Sequence, residues 1–447
     1  MLNSDYVEEI GLLDSKALTK IQSIILIAII AVAAVGGAII VLWDGPSQSS
    51  DSIKIGLLGD LDGIRGKPAW QAAKLAVEEL NAEGGILGRQ VELFAEDDDG
   101  GADEIIRSKA LTKLITVHEV DFVVGRATGQ AGFLIQDTIS QHKKIFLGTG
   151  SIIKEVTQRV LDDYENYKYY FSMGFNDTCN KLGITDNLFH IRELTGFNKI
   201  GYLAEDLDVS KATLELLDSF LPENGFELVY KGKFPLGTVD FSSYFSQAEA
   251  AGVEVLIPFI ALDGGIPFAK EYYDRQSPMV VFGGLCSLVS NPDGWEWTDG
   301  KCNHMSLAEY PTTAGYPFTS RTLQTIDSYM NRWGEAISIG AAATYDAIKF
   351  ILADAIERAG TIETDAVIKA LEETSVETSN ARNFVFTESH ALMMGTVAHD
   401  PDAEYSIIMI FQWQDGQQVP VYPKKIMEEA NATLTFPDWS GPWDNIS

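Results

Sequence analysis

An alternation narrows the folds open to this chain more than any other feature. From Ile53 onward, short apolar runs and helix-period segments take turns, and midway along the chain the pattern begins again. "IKIGLLGDL" (53–61) reads as a strand ending in Gly and Asp. "PAWQAAKLAVEELNAEGG" (68–85) then carries Ala69, Ala72, Ala73, Ala76, Val77 and Leu80 at helical spacing, opened by Pro68 and closed by Gly84-Gly85. "RQVELFAED", a helix near 102–117, "VDFVVG" (120–125), a helix near 130–142 and "KKIFLGTGS" (143–151) continue the series. Parallel strands need a crossover between them, and a helix is the usual one. The alternation therefore predicts an α/β fold with a doubly wound parallel sheet.

The second round comprises "NKIGYLAED" (198–206), a helix from Ser210 to Leu221, "FELVYKGKF", a helix near 240–251, "VEVLIPFI" (253–260) and "PMVVFGG" (278–284). A second parallel sheet is expected there, so the chain should form two lobes. Later the order changes. "GAAATYDAIKFILADAIERAG" reads as one long helix with Ile348, Ile351, Leu352, Ala355 and Ile356 on one face, stopping at Gly360. "RNFVFTE", "YSIIMIFQW" and "QQVPVYP" close the chain as strands, the last two joined by an Asp-Gly turn.

Ahead of all this, Ile24 to Trp43 is uncharged. As a helix it rises about 30 Å, the thickness of a bilayer's hydrocarbon core. Lys16 and Lys20 precede it and no Lys or Arg follows before Lys54, which keeps the N-terminus in the cytoplasm and sets the rest outside. A cleaved secretory signal is the competing reading; the run is long for one and lacks a small-x-small site. The expectation is a single-pass anchor with an extracellular body.

The charge balance excludes one class of partner. With 64 acidic against 33 basic residues, the net charge is −31. Nucleic acids and anionic membrane surfaces require a basic face, so neither is expected as a partner. Cys179, Cys286 and Cys302 form no C-x-x-C and sit near no histidine pair, which argues against zinc. The acidic run "EDDDGGADE" (96–104) lacks the terminal Glu of a calcium loop, and His390 and His399 are not spaced as ligands on one helix. No metal and no cofactor are expected. Sequons at Asn176, Asn431 and Asn445 also arise by chance and decide nothing.

Several stretches resemble the leucine/isoleucine/valine-binding type of periplasmic solute-binding protein. "AVEELNAEGGILGRQVEL" (76–93) is the most specific, "TYDAIKFILADAIERAG" (344–360) is similar to a late helix of that family, and "FQWQDGQQVPVYP" (411–423) to its closing strand pair. The resemblance runs over about 52–427. It implies two α/β lobes joined by three crossings, a ligand in the cleft between them, no catalytic machinery, and delivery to the permease and ATPase of an ABC importer. On that pattern 1–20 is a cytoplasmic N-terminus or a pilin-like leader, 21–43 the transmembrane anchor, and 44–52 a linker. Residues 53–172 with 305–398 form the first lobe, 173–304 with 399–427 the second, and 428–447 a tail. "SKALTKIQSIIL" is similar to the pilin-like signals of archaeal binding proteins, with cleavage after Ala17 and the helix retained.

In open α/β sheets ligands sit beyond the carboxyl ends of strands, where helix N-termini offer free N–H groups to anions. "VVGRATGQAG" puts Thr128 and Gly129 at one such point, and "IFLGTGS" puts Thr149, Gly150 and Ser151 at the next. The resemblance implies that these two turns hold the α-carboxylate and α-amine of an amino acid, amide or related small polar solute. Composition alone also allows them to be mere caps and tight turns. Arg65, in the first strand–helix loop, is a candidate carboxylate partner or a solvated surface residue. Trp70 is a candidate cleft wall or core aromatic. Where the family places a Glu against the ligand's ammonium, this chain has Leu285 and Cys286. Asp206 or Asp263 is the candidate substitute, and Phe259 is expected to pack on the ligand.

Cys286 and Cys302, flanking a turn-rich loop in an oxidising compartment, are a candidate disulfide. Two other functions fit the same fold. A sensory ectodomain would need a signalling partner, and a nucleotide-dependent enzyme is weakened because neither G-x-G-x-x-G nor a P-loop motif follows any strand.

Overall fold

The computed structural model describes residues 52–446 apart from 64–65, 102, 262–263 and 396–403. The apolar stretch Ile24–Trp43, its leader and its linker lie outside those residues. Among the described residues no helix is long and apolar enough to cross a membrane.

Strands β1 (Ile53–Gly59), β2 (Val91–Asp97), β3 (Phe122–Gly125), β4 (Ile145–Gly148) and β5 (Tyr170–Ser172) form one sheet in the order β2-β1-β3-β4-β5. Every pairing in it is parallel. The central strands are buried along their whole length, so their sequences are continuous apolar runs rather than alternating ones. The helix Gly66–Ala82 buries Ala72, Ala73, Ala76, Val77 and Leu80 against this sheet, the face that the spacing predicts.

The second sheet contains β6 (Lys199–Glu205), β7 (Glu227–Phe234), β8 (Val255–Ile260), β9 (Val280–Cys286) and β10 (Ser306–Glu309). A two-residue pair, β11 (Ser375–Val376) and β12 (Phe384–Val385), lies apart from both sheets. Strands β13 (Met409–Gln414) and β14 (Gln417–Tyr422) complete the second sheet, ordered β14-β13-β10-β9-β8-β6-β7. Its last two members run antiparallel, joined at Asp415-Gly416 with φ of 50° and 88°. Positive φ at both turn residues suits the twist of a tight hairpin, which is what Asp-Gly supplies.

Each sheet anchors its own core. Residues from 53–173 and 329–392 pack as one cluster around the first, and residues from 184–307 and 394–446 pack around the second. The chain passes between lobes near Asn176, near Tyr310 and near Met393. Phe175 of the first passage packs against both cores and lies 5.4 Å from the ring of Tyr310 in the second.

Two boundaries differ from the expectation. Residues 305–309 were expected to begin the return to the first lobe, but Ser306–Glu309 pairs with β9 on one side and β13 on the other. Only there are its backbone groups satisfied on both edges. The tail after 427 also belongs to the second lobe: Leu434, Phe436, Trp439 and Ile446 pack on its core, and Trp443 is buried in it. The long helix expected over 340–360 is divided. Ile339–Asp346 and Ala353–Ala359 are α-helical, and Ala347–Leu352 between them is a wider π segment. The predicted face is buried nonetheless, and Gly360 ends the helix at φ 65°.

Candidate functional site

Strands β3 and β4 end side by side, and their turns stay in step beyond the sheet. The Thr149 N–H donates to Gly125 O (2.9 Å), and the Gly129 N–H donates to Ser151 O (3.0 Å). The backbone forces both glycines. Gly129 has φ 56°, and a Cβ on Gly150 would fall 2.0 Å from the Ala127 carbonyl oxygen. This close approach brings Thr128, Thr149 and Ser151 into one patch, with Thr149 half-buried and the other two exposed.

Two helices start from that patch, Ala131–His142 and Lys154–Asp162. Their N-cap residues are Gln130 and Ile153, and neither has a side-chain cap hydrogen bond. Within the first turns Ala131 N–H donates to Thr128 O (3.2 Å), Phe133 N–H to Gln130 O (3.0 Å) and Val156 N–H to Ile153 O (3.1 Å), so only part of each helix start is left for an anion. The three hydroxyls are not spent as caps. The patch can offer hydroxyl and amide donors to a carboxylate while its carbonyls accept from an amine.

The remaining candidates are dispersed. Arg65 and Asp263 lie outside the described residues. Trp70 is half-buried, its ring 6.4 Å from that of Trp333, with the Lys74 ammonium over both rings at 5.2 and 5.7 Å. It packs helix Gly66–Ala82 against helix Thr322–Trp333. Phe259 is 5 % exposed and sits in the second lobe's core. Asp206 is half-exposed and already paired with Lys233 (3.2 Å) and Lys211 (3.4 Å). The Lys233 contact first, then Lys211, holds its carboxyl below the usual range. Beside it, the buried carboxylate of Glu205 accepts from the Ala261 N–H at 2.8 Å.

Cys286 and Cys302 are free thiols, which corrects the expected bridge. Both are wholly buried in the same apolar cluster, where they serve as small core residues. Burial pushes the Cys286 thiol well up and the Cys302 thiol up to about 11. The side chain of Cys179 lies outside the described residues.

The acidic run near 96–104 is occupied locally. Glu96 pairs with Lys113 (2.8 Å) and His118 (2.7 Å), Asp98 with the buried Arg107 (3.3 Å), and Asp103 caps the helix Glu104–Thr116 through Ile105 N (2.7 Å). Among the described residues no group of three His, Cys, Asp or Glu side chains could hold a metal ion. His390 is buried against Glu372 (3.0 Å), and His399 lies outside the described residues.

Two features went unread in the sequence. Arg126 lies inside the quoted "VVGRATGQAG" and is exposed at the patch; a charge just past a strand reads as ordinary surface. A cavity of about 440 Å³ lies beside the second passage between lobes, lined by Thr312, Ile326, Met330, Ile337, Trp413 and Gln418 among others, and by none of the candidates. Its lining is scattered over more than a hundred residues, so no local pattern announces it.

The model of the periplasmic binding protein family matches residues 52–400. The Leu/Ile/Val-binding protein homolog 7 of Brucella abortus (strain 2308) is 24 % identical over 399 residues, covering 86 % of this chain and 94 % of that protein. The fold is that of a putative branched-chain amino acid ABC transporter protein from Silicibacter pomeroyi, with a TM-score of 0.75 at 17 % identity over 87 % of this chain and 100 % of that one. An ABC transporter solute-binding protein from R. palustris, solved with benzoate, gives a TM-score of 0.66 at 13 % identity over 83 % of this chain and 96 % of that one.

Proposed function

The chain belongs to the periplasmic binding protein family, and from that premise we propose that it captures a small solute outside the cell and hands it to an ABC importer. The solute is an amino acid, an amide or a related small polar molecule, and the chain binds it without altering it. The name of the Brucella relative, a Leu/Ile/Val-binding protein homologue, supports the amino-acid class. The importer's permease and its ATPase are the protein partners. The apolar stretch Ile24–Trp43 tethers the body to the membrane, so that the receptor stays beside its permease.

One observation carries the reading. The β3 and β4 turns, locked in step, gather Thr128, Gly129, Thr149, Gly150 and Ser151 before two helix starts without side-chain caps. Such a patch gains little for the lobe by itself and much for a ligand's carboxylate. A hydroxyl that donates to a charged group contributes about 1.5–3 kcal/mol. Thr149→Ala or Ser151→Ala should therefore weaken ligand binding about ten- to a hundred-fold by calorimetry, since about 1.4 kcal/mol is tenfold. The melting point of the unliganded protein should hardly move. A fall in that melting point with unchanged affinity would reduce the patch to local turn structure.

A further inference from the structure

We infer that the cavity beside the second passage between the lobes is a second small-molecule site, and that it takes an uncharged molecule with an apolar body and an amide or hydroxyl head. None of its lining residues belongs to the β3 and β4 turns, so what it holds does not depend on the function proposed above.

Size is the first support. The cavity has a volume of about 440 Å³. Packed interiors leave few voids larger than a water molecule, and small-molecule sites run from about 300 Å³ upward. Three separate parts of the fold wall it. Thr312 and Thr313 come from the passage itself, Ile326 and Met330 from helix Thr322–Trp333, and Trp413 and Gln418 from β13 and β14. That helix is held to the first lobe, where Tyr329 Oη donates to Gln71 Oε1 (2.9 Å). A molecule in the cavity therefore touches both lobes and the chain that joins them.

The wall's chemistry sets the class of ligand. None of the described side chains that line the cavity is ionisable, in a chain of which 22 % is charged. The acids next to wall residues in sequence, Asp293, Asp327, Glu335 and Asp415, are all exposed, and Glu335 already holds Lys67 (3.2 Å). A charge brought into the cavity would lose water and gain no partner. The polar groups of the wall are few and set in place. Gln418 Nε2 donates to Ser290 O (2.8 Å), Trp413 Nε1 to Val289 O (2.8 Å), and Thr312 Oγ1 to Asn380 Oδ1 (2.8 Å). Those bonds fix the side chains and leave the Thr312 and Gln418 oxygens to accept. Thr313, 5 % exposed, lies toward the buried Glu309 carboxyl without closing a hydrogen bond to it, so its hydroxyl can still donate. A neutral amide or hydroxyl meets both needs at once. Ile326, Met330, Ile337 and the Trp413 ring are left to cover an apolar body.

Calorimetry of the full chain with three molecules of nearly one shape tests this: 3-phenylpropanamide, 3-phenylpropanoate and 3-phenylpropylammonium. The amide should bind ten-fold or more tighter than either ion. Met330 is 49 % exposed, so Met330→Trp can fill the cavity without entering the core. It should weaken the amide ten-fold or more, with the urea midpoint unchanged. Thr313→Val keeps the shape and removes the hydroxyl, and should weaken the amide about three- to ten-fold, as the loss of one neutral hydrogen bond does. Thr149→Ala should leave amide binding as it was. Failure of the amide to bind, equally tight binding of either ion, or undiminished binding by either cavity variant overturns the inference. A loss caused by Thr149→Ala overturns it too, because the amide would then sit at the strand-end patch. Capture of a solute at that patch is read separately, by Thr149→Ala and Ser151→Ala against that solute, and stands or falls on its own.

Discussion

The two lobes are built from the same strand–helix units but treat their strand ends in opposite ways. In the first lobe the ends of β3 and β4 run into Gly, Thr and Ser, with hydroxyls exposed and helix starts left without side-chain caps. In the second, Asp206 pairs with lysines and Glu205 Oε2 accepts from Ala261 N while its Oε1 is buried without a hydrogen-bond partner, and the aromatic and sulfur side chains of Phe259 and Cys286 turn into the core. The second lobe also carries more scaffold, two antiparallel strands and a tail rich in tryptophan. A two-lobed receptor needs one surface that keeps its donors available and another that closes over it. Under the function proposed above, the first lobe would take the former duty and the second the latter, and the contrast can be broken by experiment.

The largest effect should come from the tail. Trp443 is 7 % exposed, stacks on Phe436 with ring centroids 5.9 Å apart, and donates from Nε1 to Trp439 O (3.1 Å). Truncating a buried tryptophan costs about 3–5 kcal/mol, through lost transfer energy and the cavity left behind. Trp443→Ala should lower stability by about that amount. Hydrogen exchange should rise in β6, β8 and β13 while β1, β3 and β4 keep their protection. Equal deprotection of both sheets would mean that the lobes unfold as one unit and that the contrast has no energetic counterpart.

Next in size is a pH effect where the lobes meet. Burial pushes the Glu309 carboxyl up to about 7, with the Tyr310 N–H opposing it. The folded state then holds a proton that the unfolded chain releases near the ordinary glutamate value, so stability is greatest below that value and falls as pH rises toward about 7. Each pKa unit is worth about 1.4 kcal/mol, which sets the cost at roughly 3–4 kcal/mol by pH 8. Glu309→Gln keeps the shape without the charge. Its urea midpoint should match wild type near pH 4.5 and exceed it increasingly up to pH 8; a constant offset would mean that Glu309 does not titrate in this range. Asp346 in the first lobe is pushed up to about 6 by burial, but it accepts from Ser379 N (3.2 Å), Ser379 Oγ (2.6 Å) and Asn380 Nδ2 (3.3 Å). Those donors give it a structural use for its charge that Glu309 has in smaller measure.

What the sequence disclosed follows the range of the interactions. Strand, turn and helix are set within ten or twenty residues, so the parallel units, the buried face of Gly66–Ala82 and the two turns at 128–129 and 149–151 were all legible. Trp70 stayed open between cleft wall and core aromatic because its partner, Trp333, comes from another segment altogether. Phe259 lies on a strand whose apolar run gives no direction for any one side chain. The pairing of Cys286 with Cys302 was inferred from spacing and compartment, and neither fixes whether two sulfurs meet. β10 was misplaced because four residues carry too little pattern to choose between two sheets. Arg126 stood inside a motif already singled out, and only the geometry of Gly150 shows which way its stem lies.

The smallest effect is the one that separates the lobes most directly. Asp206 was a candidate for the ligand's ammonium, and its place at the end of β6 is where such a group would stand. Its oxygens instead meet Lys233 at 3.2 Å and Lys211 at 3.4 Å, all three side chains being well exposed. Exposed pairs of this kind are screened by water and salt and usually add little to stability. To serve a ligand the carboxylate would have to leave both lysines, and the positive charge left behind would repel the ammonium it came to meet. Asp206→Asn should therefore leave ligand affinity unchanged by calorimetry at both low and high salt, and leave the melting point nearly where it was. Asp206→Lys should behave no worse toward a carboxylate ligand, since it adds a cation to a lobe that already shows two there. A loss of affinity in Asp206→Asn, larger at low salt, would show that the second lobe does reserve a charge for the ligand, and the division of labour between the lobes would have to be redrawn.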